Sequence, residues 1–241
     1  MRLDLYIVDK KLAESRTRAV NQIKLNAVTV NGVIVTKPAF EVKEEDVVIV
    51  TDKIKYCSLG GLKLEKAIAH FGLKILGTVI DIGASNGGFT DCLLSSGAER
   101  VYAVDVGENA LPEKLTSDSR VIVMDKTNAR NLLPSNFDCL ADFITVDVSF
   151  ISLTQILHVL AALLARDGKI VALIKPQFEA GRTALTQSGI VKNEKLRLGA
   201  VKKVTDYAKS IGLFCEGYCV APMLFEDKNI EYLALFCKIS A

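Results

Sequence analysis

Four ionisable residues stand where an apolar run ends or an element begins. They are Lys63 in Gly-Gly-Leu-Lys-Leu, Asp147 in Val-Asp-Val-Ser-Phe-Ile-Ser, Lys175 in Ile-Lys-Pro-Gln-Phe-Glu-Ala-Gly, and Glu231 in Asn-Ile-Glu-Tyr-Leu-Ala-Leu. Asp147 and Lys175 each end an apolar strand, which points them at the same sheet edge as Asp81. Pro176 stops the strand directly after Lys175 and leaves that lysine at a lip. Two ammonium groups and two carboxylates at such positions admit two readings. They are a structural salt-bridge cluster, or a network that orients a reacting atom and stabilises charge developing on it.

The stretch Val79-Ile80-Asp81-Ile82-Gly83-Ala84-Ser85-Asn86-Gly87-Gly88-Phe89-Thr90 reads as an apolar strand with an acid near its end, a glycine turn and a helix start. Ligands of open α/β sheets sit at such carboxyl ends. Gly83 allows a tight turn, and Gly87 and Gly88 let the helix begin close to a ligand. Ser85 occupies the second glycine of the dinucleotide fingerprint, so a pyrophosphate is a poor match. S-adenosylmethionine has no pyrophosphate. Its cationic sulfonium and amino-acid part suit a carboxylate such as Asp81. Asp105 ends the next strand, at roughly the 20-residue spacing of a ribose-diol acceptor. Asp125 ends the third and is placed to approach an adenine amino group. Strand ends and glycines thus offer Asp81, Gly83, Gly87, Asp105 and Asp125 as cofactor-binding candidates, and Ser85, Phe89 and Asp147 complete the candidate set. An ordinary strand–helix turn is the alternative for the glycines.

These positions need a scaffold, and the chain supplies two kinds. Residues 1–53 carry short elements: a helix over 3–10, a second over 16–25 capped by Ser15, and Val28-Thr29-Val30 and Val33-Ile34-Val35 flanking Asn31-Gly32. Asn-Gly between apolar runs is a strong hairpin signal, and Val47–Val50 adds a strand. Residues 54–60 read as a linker. From 61 to 241 strands and helices alternate, which predicts a doubly wound, mostly parallel α/β sheet. The last two strands, over 214–220 and 230–237, predict an antiparallel edge.

Composition narrows the function classes. Thirty Lys and Arg against 28 Asp and Glu give a net charge of +2, so nucleic-acid affinity would have to come from local clustering. Six cysteines without a Cys-x-x-Cys pair, and two isolated histidines, His70 and His158, argue against a zinc site; no metal is expected. The start shows no secretory signal, so reduced thiols in a cytoplasmic protein are expected. The most apolar stretch, 156–164, is far short of the roughly 20 residues that span a bilayer, so no membrane partner is expected. Nothing in the pattern specifies an oligomer.

The order Lys63, Asp147, Lys175, Glu231 resembles the Lys-Asp-Lys-Glu tetrad of the FtsJ-type ribose 2′-O-methyltransferases. Asp-Val-Ser-Phe-Ile-Ser, Lys-Pro-Gln-Phe-Glu-Ala-Gly, Gly-Ile-Val-Lys-Asn and Asn-Ile-Glu-Tyr resemble the TlyA family, known both as haemolysin-like and as ribosomal RNA cytidine-2′-O-methyltransferases, over essentially the whole chain. Arg2-Leu3-Asp4, Ser15-Arg16-Thr17-Arg18-Ala19 and Val28-Thr29-Val30-Asn31-Gly32 are similar to the RNA-binding module named after ribosomal protein S-four. The resemblance implies a Rossmann-like methyltransferase sheet behind a small α+β RNA-binding domain. It implies S-adenosylmethionine as cofactor and ribosomal RNA or a ribosomal subunit as partner, with phosphate contacts from Arg2, Arg16, Arg18 and Lys37. It further implies that Lys175 meets the 2′-oxygen, that Asp147 holds Lys175 and faces the methyl group, and that Lys63 and Glu231 fix the network. A protonated lysine orients an oxygen lone pair, and base action by Lys175 stays open. Two other readings remain: a membrane-active haemolysin, and an RNA-binding protein whose methyltransferase fold is inactive. Leu59 stands where the family carries arginine, and Asn26 where it carries glycine.

Overall fold

Ser15 opens the second helix as its type suggests: its hydroxyl accepts the Arg18 N–H at 3.2 Å, satisfying one of the free donors of the first turn. The structure is a computed structural model that describes residues 1–51, 54–223, 225 and 228–239. Contacts divide the chain into two units, Met1–Ser58 and Leu59–Ala241. The division falls within 54–60, the stretch expected as a linker: 54–58 go with the first unit and 59–60 with the second.

In the first unit, α1 (Leu3–Asp9) and α2 (Arg16–Lys24) precede β1 (Val28–Val30), β2 (Val33–Ile34) and β3 (Val48–Val50). Asn31 and Gly32 take φ values of +51° and +78°, the pair of left-handed residues that a two-residue hairpin turn needs. Both β2 and β3 pair antiparallel with β1, in the order β2-β1-β3. Asn26, at φ +56°, adopts the left-handed conformation that asparagine tolerates. Leu3, Ile7, Ala19, Ile23, Val28 and Val30 form the core, each almost without exposed surface. Burial of a Leu, Ile or Val side chain contributes roughly 1.5–3 kcal/mol, which this small unit needs.

The second unit is built on α3 (Gly60–Phe71), β4 (Thr78–Ile82), α4 (Gly88–Ser95), β5 (Arg100–Val104), α5 (Glu113–Thr116), β6 (Val121–Met124), β7 (Ala141–Val146), α6 (Leu157–Leu163), β8 (Leu164–Ile174), α7 (Pro176–Glu179), α8 (Glu194–Ser210), β9 (Leu213–Val220) and β10 (Tyr232–Lys238). Its seven strands run in the order β6-β5-β4-β7-β8-β10-β9. The first five are parallel, and β10 is antiparallel to both β8 and β9. The order turns back at β4, whose neighbours are β5 and β7; a crevice opens at such a point, beyond the carboxyl ends of the strands. The apolar stretch at 156–164 becomes α6, whose Leu157, Leu160 and Leu163 pack into the sheet's core. No helix among the described residues is long and apolar enough to cross a membrane. None of the six cysteines is joined in a disulfide.

Candidate active site

The turn after β4 is held between two neighbouring strands. Gly83 and Ala84 donate their N–H groups to Val104 O, and Asp147 N donates to Ile82 O at 2.9 Å. Gly83 sits at φ +83°, and a Cβ there would lie 2.4 Å from the Asp147 carbonyl oxygen. Only glycine lets the two strand ends approach this closely. Ser85 N donates to Asp105 Oδ2 at 2.8 Å, and Gly107 N to Asp105 Oδ1 at 2.7 Å, so the Asp105 carboxylate ties down the turns after β4 and β5.

These turns line a cleft of about 490 Å³ with Ser85, Asp105 and Asp147, apolar walls from Val106, Ala129 and Ile156, and Arg130. The cleft brings together Gly83, Ser85, Asp105 and Asp147 from the expected set and does not include Asp81, Gly87, Phe89 or Asp125 in its lining. Asp81 departs most from expectation. It is fully buried, its oxygens accepting hydrogen bonds from Thr90 and Thr145 hydroxyls at 2.7 Å each, so it braces β4 against α4 and β7. Burial pushes its carboxyl up to about 6 against the pull of the two hydroxyls. Gly87 starts α4 at φ +74° against Leu111 and Leu115, and Phe89 is a core side chain. Asp125 accepts from Asn109 N at 2.8 Å and holds the loop beyond β5.

The four ionisable residues meet as two pairs. Lys63, on α3, donates to Glu231 Oε2 at 2.7 Å across 168 residues of sequence. Lys175 Nζ lies 2.6 Å from Asp147 Oδ1 and donates to Ser149 Oγ at 2.9 Å. The Asp147 contact is an ion pair off hydrogen-bonding alignment, which leaves Asp147 Oδ1 buried with no hydrogen-bond partner. Glu231 directly precedes Tyr232, which pairs with Ile174, so the β8–β10 register brings Glu231 opposite Lys175.

Sequence reasoning passed over four residues here. Ser149, in the cleft wall, accepts from Lys175. Gln177 donates to Glu231 Oε1 at 3.3 Å. Glu179 is buried and accepts from Ser152 Oγ at 2.5 Å, Leu153 N at 2.7 Å and Lys203 Nζ at 3.2 Å, fastening the loop after β7 to α7 and α8. Phe150 lies at the cleft with 91% of its surface exposed, at φ +66°, its ring centroid 5.2 Å from that of Phe178. A bulky residue at positive φ with an exposed ring is strained backbone of the kind that gathers at functional sites. All four lie inside phrases already singled out, but their partners are distant in sequence.

In the first unit, Arg2 and Arg16 both bind the buried carboxylate of Asp4 and keep 41% and 59% of their side chains exposed. Lys37 is exposed. Arg18 is used differently: its guanidinium donates to Tyr56 O and Ile54 O, each at 3.2 Å, which anchors the end of the unit.

Comparison with known proteins agrees with this architecture. The model of the FtsJ-like methyltransferase family matches residues 56–237, and that of the S4 domain matches residues 1–48. The chain is 42% identical to Hemolysin A of Brachyspira hyodysenteriae, over 98% of this chain and 99% of that one. It is 37% identical to the 16S/23S rRNA (cytidine-2′-O)-methyltransferase TlyA of Mycobacterium tuberculosis, over 96% of this chain and 87% of the relative. A solved hemolysin-named structure from Streptococcus thermophilus superposes with a TM-score of 0.80 at 40% identity, covering 100% of this chain and 89% of that one. With that match spanning the whole sheet and the crevice at its carboxyl edge, the chain belongs to the FtsJ-like methyltransferase family.

Proposed function

We propose that this protein transfers a methyl group from S-adenosylmethionine to the ribose 2′-hydroxyl of a cytidine in ribosomal RNA, and that it does so in the cytoplasm. The observation that carries the reading is the meeting of Lys175 with Asp147 and Ser149, two residues of the cleft wall that also holds Asp105. The cleft's chemistry fits the cofactor: carboxylates for a cation and a diol, and apolar walls for a base. Bound there, S-adenosylmethionine supplies a methyl group on a sulfonium, already activated for displacement.

The chain's own residues do the rest. Asp105 would accept the cofactor's ribose hydroxyls. Asp147, which holds Lys175, would offset the positive charge. Lys175 would hold the 2′-oxygen with a lone pair towards the methyl carbon and stabilise the negative charge that grows there as the hydroxyl proton passes to water; the O–C bond would form as the S–C bond breaks and a neutral thioether leaves. Lys63 and Glu231, with Gln177 behind them, fix the far side of the network. Phe150 offers a stacking face for a base; such stacking contributes about 1–3 kcal/mol. Correct positioning of two reactants accounts for about 7–11 kcal/mol of a barrier, so a site made of orienting groups suffices. Arg2, Arg16 and Lys37 contact phosphates; Arg18, committed to backbone carbonyls, supports the unit instead.

Incubation of the purified protein with ribosomal RNA and methyl-labelled S-adenosylmethionine, followed by digestion to nucleosides and mass spectrometry, tests the reading. Label in 2′-O-methylcytidine is the expected result. Label on a base, or none, overturns it.

A further inference from the structure

Asp4 is an odd residue for a surface that binds RNA. It places a negative charge among the cations that meet phosphates, and a simple charge count says that it weakens binding. Yet its carboxylate is fully buried, and its oxygens carry three guanidinium contacts: Arg2 Nε at 3.0 Å on Oδ1, Arg2 Nη2 at 3.1 Å on Oδ2, and Arg16 Nε at 2.9 Å also on Oδ2. Its backbone is fixed as well, since Asp4 N donates to Pro38 O at 3.0 Å. The two arginines come from different helix starts, one just before α1 and one at the first position of α2, so Asp4 converges groups that local structure would leave apart. The Arg2 hydrogen bond holds the Asp4 carboxyl below its usual range against the opposing effect of burial, so it stays ionised at neutral pH. The guanidinium N–H groups not given to Asp4 belong to side chains that remain 41% and 59% exposed.

We propose that Asp4 is a positioning residue, clamping Arg2 and Arg16 by their inner edges so that their outer N–H groups form one fork for a single backbone phosphate. The inference rests on the RNA-binding reading above and adds the device that makes it work. A guanidinium held in place loses less freedom on meeting a phosphate than a free one, so the clamp strengthens binding although it carries the wrong sign.

The test is the dissociation constant of the full-length protein for a ribosomal RNA transcript, measured against salt concentration. Asp4→Asn raises the net charge by one, and the proposal expects it to weaken binding at least fivefold all the same. In an Arg2→Ala/Arg16→Ala background the same substitution should change affinity less than twofold, because Asp4 acts through those arginines. Asp4→Asn that binds as tightly as wild type, or more tightly, overturns the clamp. If circular dichroism shows that Asp4→Asn does not fold, Arg16→Lys decides, since that side chain is exposed and keeps its charge. Weakening of fivefold or more supports the clamp, and wild-type affinity overturns it. An Arg2→Ala/Arg16→Ala protein that binds as wild type does refutes the RNA-binding reading itself, a result distinct from failure of the clamp alone.

Discussion

Replacing Asp105 by alanine removes a carboxylate with two tasks. It would accept the ribose diol of the cofactor, and it accepts the Ser85 and Gly107 N–H groups at 2.8 and 2.7 Å, which shape the cleft wall. Hydrogen bonds to a charged acceptor contribute about 1.5–3 kcal/mol. Loss of the diol contacts alone should therefore raise the dissociation constant by about 12- to 140-fold. Release of the two turns adds to that. Asp105→Asn, which keeps one carbonyl oxygen, should fall between wild type and alanine. Calorimetric titration with both S-adenosylmethionine and S-adenosylhomocysteine is the informative assay. The two share the ribose but only the first carries the sulfonium, so the loss should be equal for both. An unchanged constant would show that Asp105 is outside the site. A loss confined to S-adenosylmethionine would mean that Asp105 acts on the charge at sulfur and not on the ribose.

Three further outcomes follow from the same geometry. Lys175→Ala should bind cofactor and RNA yet transfer methyl about a hundredfold or more slowly in a single turnover; full activity would sink the role given to that lysine. Asp81 has a folded-state value of about 6, above its ordinary 3.8, so the folded protein holds its proton more tightly than the unfolded chain across that interval. Stability should fall by about 3 kcal/mol as pH rises through it and then level off. Asp81→Asn should lack this decline in urea unfolding, and an identical pH profile would contradict the cause assigned to the shift. Glu179→Ala strands the Leu153 N–H and frees the loop after β7, which should lower stability by about 1–3 kcal/mol and weaken cofactor binding; an unchanged urea midpoint would refute this bracing role.

What the sequence made legible was local. Asn31-Gly32 between valine runs fixed a hairpin, Ser15 fixed a helix start, and the alternation of strands and helices fixed the sheet. Partners distant in sequence were not legible from spacing. Lys63 and Glu231 were joined only by likeness to a known tetrad, and nothing local pointed to the Glu179 brace. Asp81 and Asp105 illustrate a second limit. Both lie at the close of an apolar run, but a run buried on both faces carries no signal for the residue at which its strand stops. Asp81, one residue before the end of β4, turns into the interior, whereas Asp105, one residue past the end of β5, reaches the cleft. Arg16 and Arg18 illustrate a third. Two positions apart on a helix, they leave it on different faces, so one reaches Asp4 and the other the backbone near residue 56.

The most direct test of the central claim is mass-spectrometric mapping of ribose methylation in ribosomal RNA from cells that lack this gene, with the wild-type or the Lys175→Ala protein returned. The account predicts at least one cytidine that carries a 2′-O-methyl group with the wild-type protein and loses it both in the deletion and with Lys175→Ala. Identical ribose methylation in all three would contradict it.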